Sequence, residues 1–167
     1  PQAHSAPQAP SVDEPAGSIS GPRVMPLGEH ELGSAATGSY HDPHSVLGAH
    51  QYEGGVTVRT LKPFAHAVEV LTADGAAHPM QHEYDGVWVA AIDVAALTSY
   101  QLRVVWEEGA DPVVLEEPYR FWPTLRELDL HLIREGRHEE LWRALGAHVR
   151  TVEDVEGTSF AVWAPSA

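Results

Sequence analysis

Histidine is the residue type here that most readily suggests chemistry, because eleven histidines occur in a chain without cysteine. His41 and His44 have a spacing that can bring two imidazoles together on one helical turn, and His50 follows nearby. Asp42 and Pro43 are already explained as the N-cap and the first position of that turn. Zinc sites need three or four protein ligands, and no third ligand has a clear position. The sequence therefore predicts no metal site.

Carboxylates are numerous, but most of them are adjacent in the sequence. Adjacent side chains point in opposite directions on a strand, whereas glycoside chemistry needs two carboxyls that face each other across a cleft. Solvated faces explain these pairs better. The pairs are Glu107 and Glu108, Glu116 and Glu117, Glu139 and Glu140, and Glu153 and Asp154. The sequence contains neither a serine nucleophile elbow nor a glycine-rich phosphate loop, so it predicts no catalytic residue.

Tryptophan offers a different chemistry, because exposed indole rings can stack on sugar rings. By alternation along the predicted strands, Trp106 belongs to the core and Trp163 to the last strand, while Trp142 lies on a helix between domains. Trp88 is the best candidate for an exposed carbohydrate-binding platform. The alternative places Trp88 in a core, where large aromatic side chains are common.

The composition excludes several classes of partner. A formal net charge of −14 and a single lysine, Lys62, argue against nucleic acid, whose binding requires clustered basic residues. The absence of cysteine excludes disulfides and thiol nucleophiles and is compatible with an intracellular compartment. No apolar run approaches the roughly 20 residues of a membrane helix, and the N-terminus does not resemble a signal peptide. We expect a soluble protein that binds neither nucleic acid nor membrane.

The N-terminal region differs in composition from the rest of the chain. Residues 1–37 are rich in Pro, Ala, Ser and Gly and predict a disordered tail, with a docking peptide as the alternative. After it, one helical turn is predicted, with Asp42 as its N-cap and Gly48 just past its end. This turn would direct Val46 and Leu47 inward.

Beyond that turn the chain consists of short segments with strand-like patterns, at the spacing typical of a β-sandwich or barrel. Turn signals at 73–75 and 85–86 predict hairpins. Residues 87–92 are apolar on both faces, as in a central strand covered on both sides. The seven candidates are 56–59, 67–70, 78–84, 87–92, 100–106, 113–115 and 119–122. We therefore predict an all-β fold, a small immunoglobulin-like β-sandwich over residues 38–123.

A helical period replaces the strand period at residues 136–146. Leu141 and Leu145 share a stripe and Gly146 supplies a C-terminal stop. Burial of Trp142 and the two leucines would contribute roughly 1.5 to 3 kcal/mol each, which favours a fixed helical joint over residues 124–146. The alternation of Phe160 with Ala161 then predicts the first strand of an incomplete second sandwich over residues 147–167.

Three blocks carry a resemblance to a known family: HDPHSVLGAH at 41–50, YRFWPTLRELDLHLIREGRHEELWRALGAH at 119–148 and GTSFAVWAPSA at 157–167. The chain from about Tyr40 onward resembles the N-terminal region of a bacterial glycogen branching enzyme. The resemblance implies an N-terminal β-sandwich, a second sandwich of the carbohydrate-binding-module type, an α-amylase-type barrel and a C-terminal β domain. The barrel and most of the second sandwich are expected outside these 167 residues.

The same resemblance implies a function. Such enzymes cut an α-1,4-glucan chain and transfer the piece to a 6-hydroxyl, using an Asp nucleophile and a Glu acid/base on the barrel. No residue of this chain matches those motifs. The expected partners are α-glucan and the other domains of the same protein, in the cytoplasm and without a cofactor. The expected role of this part is to hold glucan chains or select their length.

Two alternatives remain open. One is a stand-alone immunoglobulin-like module that binds another protein. The other is a related enzyme, such as a debranching enzyme or a trehalose-forming hydrolase, which would share the FAVWAP-like strand but is not expected to carry the first two blocks.

Overall fold

The computed structural model describes residues 21–164, which form two four-stranded antiparallel sheets, a two-stranded hairpin and three short α-helices. The strands of the two large sheets are β1 (Gly48–Tyr52), β2 (Gly55–Leu61), β3 (Ala67–Thr72), β4 (Ala77–Pro79), β5 (Gln81–Tyr84), β6 (Val87–Ile92), β7 (Tyr100–Val105) and β8 (Val113–Glu116). The hairpin is β9 (Gly146–Val152) and β10 (Val155–Ala161). The helices are α1 (Glu29–Ala36), α2 (Glu127–Arg134) and α3 (Leu141–Ala144).

The two sheets pack face to face and confirm the all-β sandwich. Their strand orders are β1-β2-β6-β5 and β4-β3-β7-β8. Alternate residues of facing strands enter one core, as the period of two requires. Its inner residues are Val56, Val58, Val68, Val70, Ile92, Leu102 and Val104. The turn before β1 also forms as expected, as a 3-10 turn at Pro43–Ser45 that leaves Val46 and Leu47 buried.

The chain changes sheets at Met80. The predicted strand over 78–84 is in fact two strands, because β4 pairs with β3 while β5 pairs with β6. Met80 is buried between them, and its N–H donates to the carbonyl of Val68 at 2.9 Å. Both predicted turn signals lie at hairpin turns, with Gly75 and Gly86 in left-handed backbone conformations.

The N-terminal segment is part of the sandwich. We call residues 22–36 the N-terminal strap. Its residues Leu32 and Ala35, on α1, are buried, so the predicted disordered tail is wrong for this helix. The prediction failed because the strap contains no aromatic residue and only one β-branched residue, Val24, and buries few apolar side chains of its own. Residues 1–20 lie outside the described residues.

Polar side chains of β2 fix the strap. Thr57 and Arg59 are fully buried, although their alternation with valines predicted a strand that is only half buried. The Thr57 hydroxyl accepts from the Met25 N–H at 2.9 Å, and Arg59 donates to the Met25 carbonyl. Arg59 also pairs with Glu83, at 2.6 Å from Nε. The strap therefore covers the outer face of this sheet, which explains why β6 is apolar on both faces.

The region after the sandwich differs from its prediction. Instead of one helix over 136–146 it contains α2 and the short α3. The Asp129 carboxylate accepts the Arg126 N–H at 3.0 Å and so caps α2 at its N-terminus. Leu141 and Trp142 are exposed, so the predicted burial of this face is wrong within the described residues.

The strands differ from the prediction in three ways. Residues 119–122 do not form a strand, because a 3-10 turn occupies Pro118–Arg120. β1 and β9 were not predicted. The final strand is one arm of the β9–β10 hairpin, and Val149, Phe160 and Val162 stand exposed on it or beside it. Across residues 21–164 no helix is both long and apolar enough to cross a membrane.

Candidate functional site

Trp88 is a core residue and is only 8% exposed. It packs between the sheets, its Nε1 donates to the Lys62 carbonyl at 3.2 Å, and the His82 ring meets it edge to face. The prediction of an exposed platform at Trp88 is therefore wrong, because β6 is an inner strand whose inward face lies in the core. Trp106, expected in the core, is 40% exposed because β7 ends one residue earlier.

Trp122 is an exposed tryptophan that borders the cleft between the sandwich and the β9–β10 hairpin; Trp163, also exposed, borders a smaller pocket beside α2 and α3. Trp122 is 70% exposed, and the cleft that it lines has a volume of about 390 Å³. The His44 ring stacks on it, with centroids 6.0 Å apart and planes 19° from parallel. His44 Nε2 lies 3.0 Å from the Phe121 carbonyl, so this nitrogen carries the proton and donates it. Tyr119 packs edge-on against His44 on its other side.

The opposite part of the cleft lining is polar. Glu153 and Asp154 form the turn between β9 and β10, and both line the cleft. Thr98 and Ser99, which precede β7, add hydroxyl groups to the lining. The cleft thus combines an aromatic surface with hydrogen-bonding groups, which is the combination that a sugar requires.

Arg120 connects the sandwich to this turn. Its side chain is almost entirely buried, and its Nη1 donates to the Tyr100 carbonyl at 3.1 Å and to Glu116 at 2.6 Å. Its Nη2 donates to the Glu153 carbonyl at 3.2 Å. Burial raises the pKa of the Tyr100 phenol, and the Glu117 carboxylate raises it further, so this group stays neutral at physiological pH.

His41, His44 and His50, considered above as metal ligands, do not come together at one site. His44 and His50 both line the cleft, and His50 Nε2 lies 3.1 Å from the Leu47 carbonyl. The His41 ring instead lies against Tyr40. Among the residues described, no group of three or more His, Asp or Glu side chains could hold a metal ion.

The adjacent carboxylates separate into different environments. Glu117 is fully buried, where it accepts from the Thr60 hydroxyl and lies 3.4 Å from Lys62 Nζ. Glu116 pairs with Arg120. The sequence placed Arg120 and Trp122 in a predicted strand over 119–122 and assigned neither a role in binding, because the side chains of the 3-10 turn that forms there do not follow a period of two.

Comparison with known proteins identifies the family. A family profile described as the N-terminal domain of alpha-1,4-glucan branching enzyme GlgB matches residues 28–119. A 1,4-alpha-glucan branching enzyme GlgB 2 of Streptomyces coelicolor is 46% identical over 162 residues, which cover 94% of this chain and 22% of the relative. GlgB 1 of the same organism is 51% identical over 130 residues, covering 78% of this chain and 16% of the relative.

A solved structure also matches. A mutant pullulanase from Paenibacillus barengoltzii, complexed with maltotetraose, is 21% identical with a TM-score of 0.35, over 52% of this chain and 16% of that chain. The present chain spans about a fifth of the length of the curated relatives it matches, 22% of one and 16% of another. Because the family profile covers more than half of the chain, this chain belongs to the family of GlgB branching enzyme N-terminal domains.

Proposed function

We propose that this chain is the N-terminal part of a glycogen branching enzyme that acts in the cytoplasm. The whole protein would transfer an α-1,4-glucan segment to a 6-hydroxyl and so form α-1,6 branches in glycogen. Family membership supports this assignment over a stand-alone protein-binding module. We further propose that the catalytic groups lie in a barrel outside these residues, and that residues 147–167, which contain most of the β9–β10 hairpin, begin a second sandwich.

We propose that the present part is non-catalytic and holds a glucan chain. The observation that carries this proposal is the exposed Trp122 ring at the edge of the cleft. The apolar face of a glucose ring can stack on this indole, and the His44 ring already orients it, so little side-chain freedom is lost on binding. The two carboxylates of the cleft are neighbours on one turn, which fits sugar binding better than the facing pair of a glycosidase.

Replacement of Trp122 tests the proposal. We expect Trp122→Ala in the 167-residue chain to weaken binding to glycogen by roughly tenfold, taking for the sugar ring a contribution like that of a base stacked on an aromatic side chain, about 1 to 3 kcal/mol. Retardation in native gels cast with increasing glycogen measures the dissociation constant. In the longer enzyme, the same change should alter the distribution of branch lengths.

Trp142→Ala is the matched control. Trp142 is 67% exposed, close to the 70% of Trp122, but it lies on α3 and does not line the cleft. It should bind glycogen like the unmodified chain. If the unmodified chain is not retarded by glycogen, or if both variants behave alike, the glucan-holding proposal is rejected. A branch-length distribution unaffected by Trp122→Ala would reject the proposed role in length selection.

A further inference from the structure

We propose that the glucan site is shared between the sandwich and the β9–β10 hairpin, with Arg120 as the residue that positions the hairpin turn. The turn, Glu153 and Asp154, supplies the polar side of the site, and Trp122 supplies the stacking side. This inference rests on the proposed function and adds to it which parts of the chain must be joined for glucan to bind.

The backbone of the turn is the first observation. Glu153 has φ of +47° and Asp154 has φ of +64°, so two consecutive residues with side chains adopt the left-handed conformation. Two-residue hairpin turns of this kind favour Asn-Gly or Asp-Gly, because glycine adopts positive φ without steric cost. Such conformations in other residues are found preferentially at functional sites. Glycine at positions 153 and 154 would relieve the steric cost of positive φ, but it would remove the two carboxylates from the cleft.

The second observation is the manner in which Arg120 fixes the turn. Its guanidinium donates both to the Tyr100 carbonyl in β7 and to the Glu153 carbonyl in the turn, at 3.1 and 3.2 Å. It also donates to Glu116 at the end of β8. One buried side chain therefore determines where the turn lies relative to the sandwich, and thus where its carboxylates stand in the cleft.

Two buried polar atoms at the cleft point to a ligand. The Tyr100 hydroxyl and Arg120 Nε are buried and have no hydrogen-bond partner among residues 21–164. Arg120 Nε lies 3.6 Å from Glu153 Oε2, which is too long for a hydrogen bond. Both side chains line the cleft. Buried groups without a partner are uncommon and costly, and sugar hydroxyls can both donate and accept hydrogen bonds.

The position of these residues along the chain has a further implication. The family profile ends at residue 119, before Arg120, Trp122 and the turn. The sandwich defined by that profile therefore holds only part of the cleft, including His44, His50 and Ser99. Glucan binding would then require the hairpin as well as the sandwich. The glucan chain would bind where these two parts of the protein meet.

Asp154→Gly separates binding from folding, because glycine suits the positive φ at this position. We expect it to weaken glycogen binding about tenfold, the effect of losing one hydrogen bond to a charged group, without lowering Tm. Asp85→Gly is the matched control, since Asp85 also has positive φ in a hairpin turn but does not line the cleft. It should leave binding unchanged. Glycogen retardation and thermal unfolding are measured on the 167-residue chain, with maltohexaose and its β-linked counterpart cellohexaose as competitors.

Arg120→Lys tests the positioning role. Lysine keeps the charge but cannot donate to Tyr100, Glu116 and Glu153 together. We expect Arg120→Lys to weaken glycogen binding severalfold alone and to have a smaller effect in the Asp154→Gly background than in the unmodified chain, because part of its effect passes through the turn. Additive effects, or full affinity of Asp154→Gly, would overturn this inference while leaving the proposed function intact. Equal competition by cellohexaose would also count against an α-glucan site. Absence of glycogen binding by the unmodified chain would instead reject the proposed function itself.

Discussion

Trp88 and Trp122 show how the same residue type serves opposite roles in this domain. Trp88 is 8% exposed and completes the core, whereas Trp122 is 70% exposed and borders the cleft. Only the second can stack on a sugar. Their difference follows from the strands that carry them, because β6 is an inner strand and Trp122 follows a 3-10 turn.

Truncation of Trp88 should therefore affect stability rather than a binding surface. We expect Trp88→Ala to reduce the free energy of unfolding by about 3 to 5 kcal/mol, through lost burial and a residual cavity. Urea unfolding followed by circular dichroism measures the change. Trp106→Ala is the comparison, since its ring is 40% exposed and a surface change should cost about 0.5 kcal/mol or less. Equal losses in the two variants would contradict the core assignment of Trp88.

The sequence could predict residue environments only where a regular period existed. The alternation of apolar and polar residues correctly predicted that Val68, Val70 and Leu102 lie in the core. It failed at Trp106, because the strand ends before that residue, and at Arg120 and Trp122, where a 3-10 turn replaces the predicted strand. The cleft also depends on contacts between residues more than thirty positions apart, such as Arg120 and Glu153, which local patterns do not encode.

At the scale of elements, the N-terminal strap is the least expected feature. Its composition argued for disorder, yet buried polar partners on β2 compensate for its small apolar area. Arg59 and Thr57 bind its backbone around Met25, and α1 adds two buried residues. Conversely, β2 was expected to be half buried because the sequence does not reveal that another segment covers its polar side.

Removal of the strap backbone should destabilise the sandwich. Deletion of residues 1–27 leaves the Arg59 guanidinium and the Thr57 hydroxyl without their partners at Met25. We expect a loss of about 1 to 3 kcal/mol in the free energy of unfolding, since each lost hydrogen bond contributes about 0.5 to 1.5 kcal/mol net, or more at a charged group, and water can reach the uncovered side chains. Chemical denaturation measures it. Deletion of residues 1–20 removes none of these contacts and serves as the control. A strap deletion as stable as this control would show that the contacts contribute nothing.

The helices between sandwich and hairpin show a second limit of sequence patterns. In α2 the leucines at 128, 130 and 132 alternate with polar residues, a strand-like period, although the capping carboxylate of Asp129 favours a helix. The segment predicted as helical, 136–146, contains only the four residues of α3 in an α-helix. At α2 the hydrogen bond at the helix start outweighed the apolar period, whereas α3 has no side-chain capping hydrogen bond within residues 21–164.

For the molecule as a whole, family membership and the sandwich were predictable, while the cleft was not. The three sequence blocks that resemble the family are long, and the strand patterns are regular. Both kinds of evidence therefore indicated the same fold. The cleft arises where the sandwich meets the hairpin, and its lining comes from four separate parts of the chain, near residues 44, 98, 120 and 153.

The net charge of the molecule provides a whole-molecule test of its partner. With a formal charge of −14, binding to a basic protein would weaken strongly as salt rises. Glucan is uncharged, so we expect the dissociation constant for glycogen to change less than about twofold between low and high salt. Native gel retardation at matched pH and two salt concentrations measures this ratio. A steep dependence on salt would favour the protein-binding alternative.

The passage of the chain between sheets at Met80 also limits how copies of this domain could associate. β4 and β5 are each the outermost strand of their sheet, and a single residue connects them. One side of the sandwich is thus bridged covalently, which hinders the approach of a foreign strand there. Across residues 21–164 no single residue joins the edges at β1 and β8, so unwanted strand addition, and the aggregation it seeds, should be directed to those two edges.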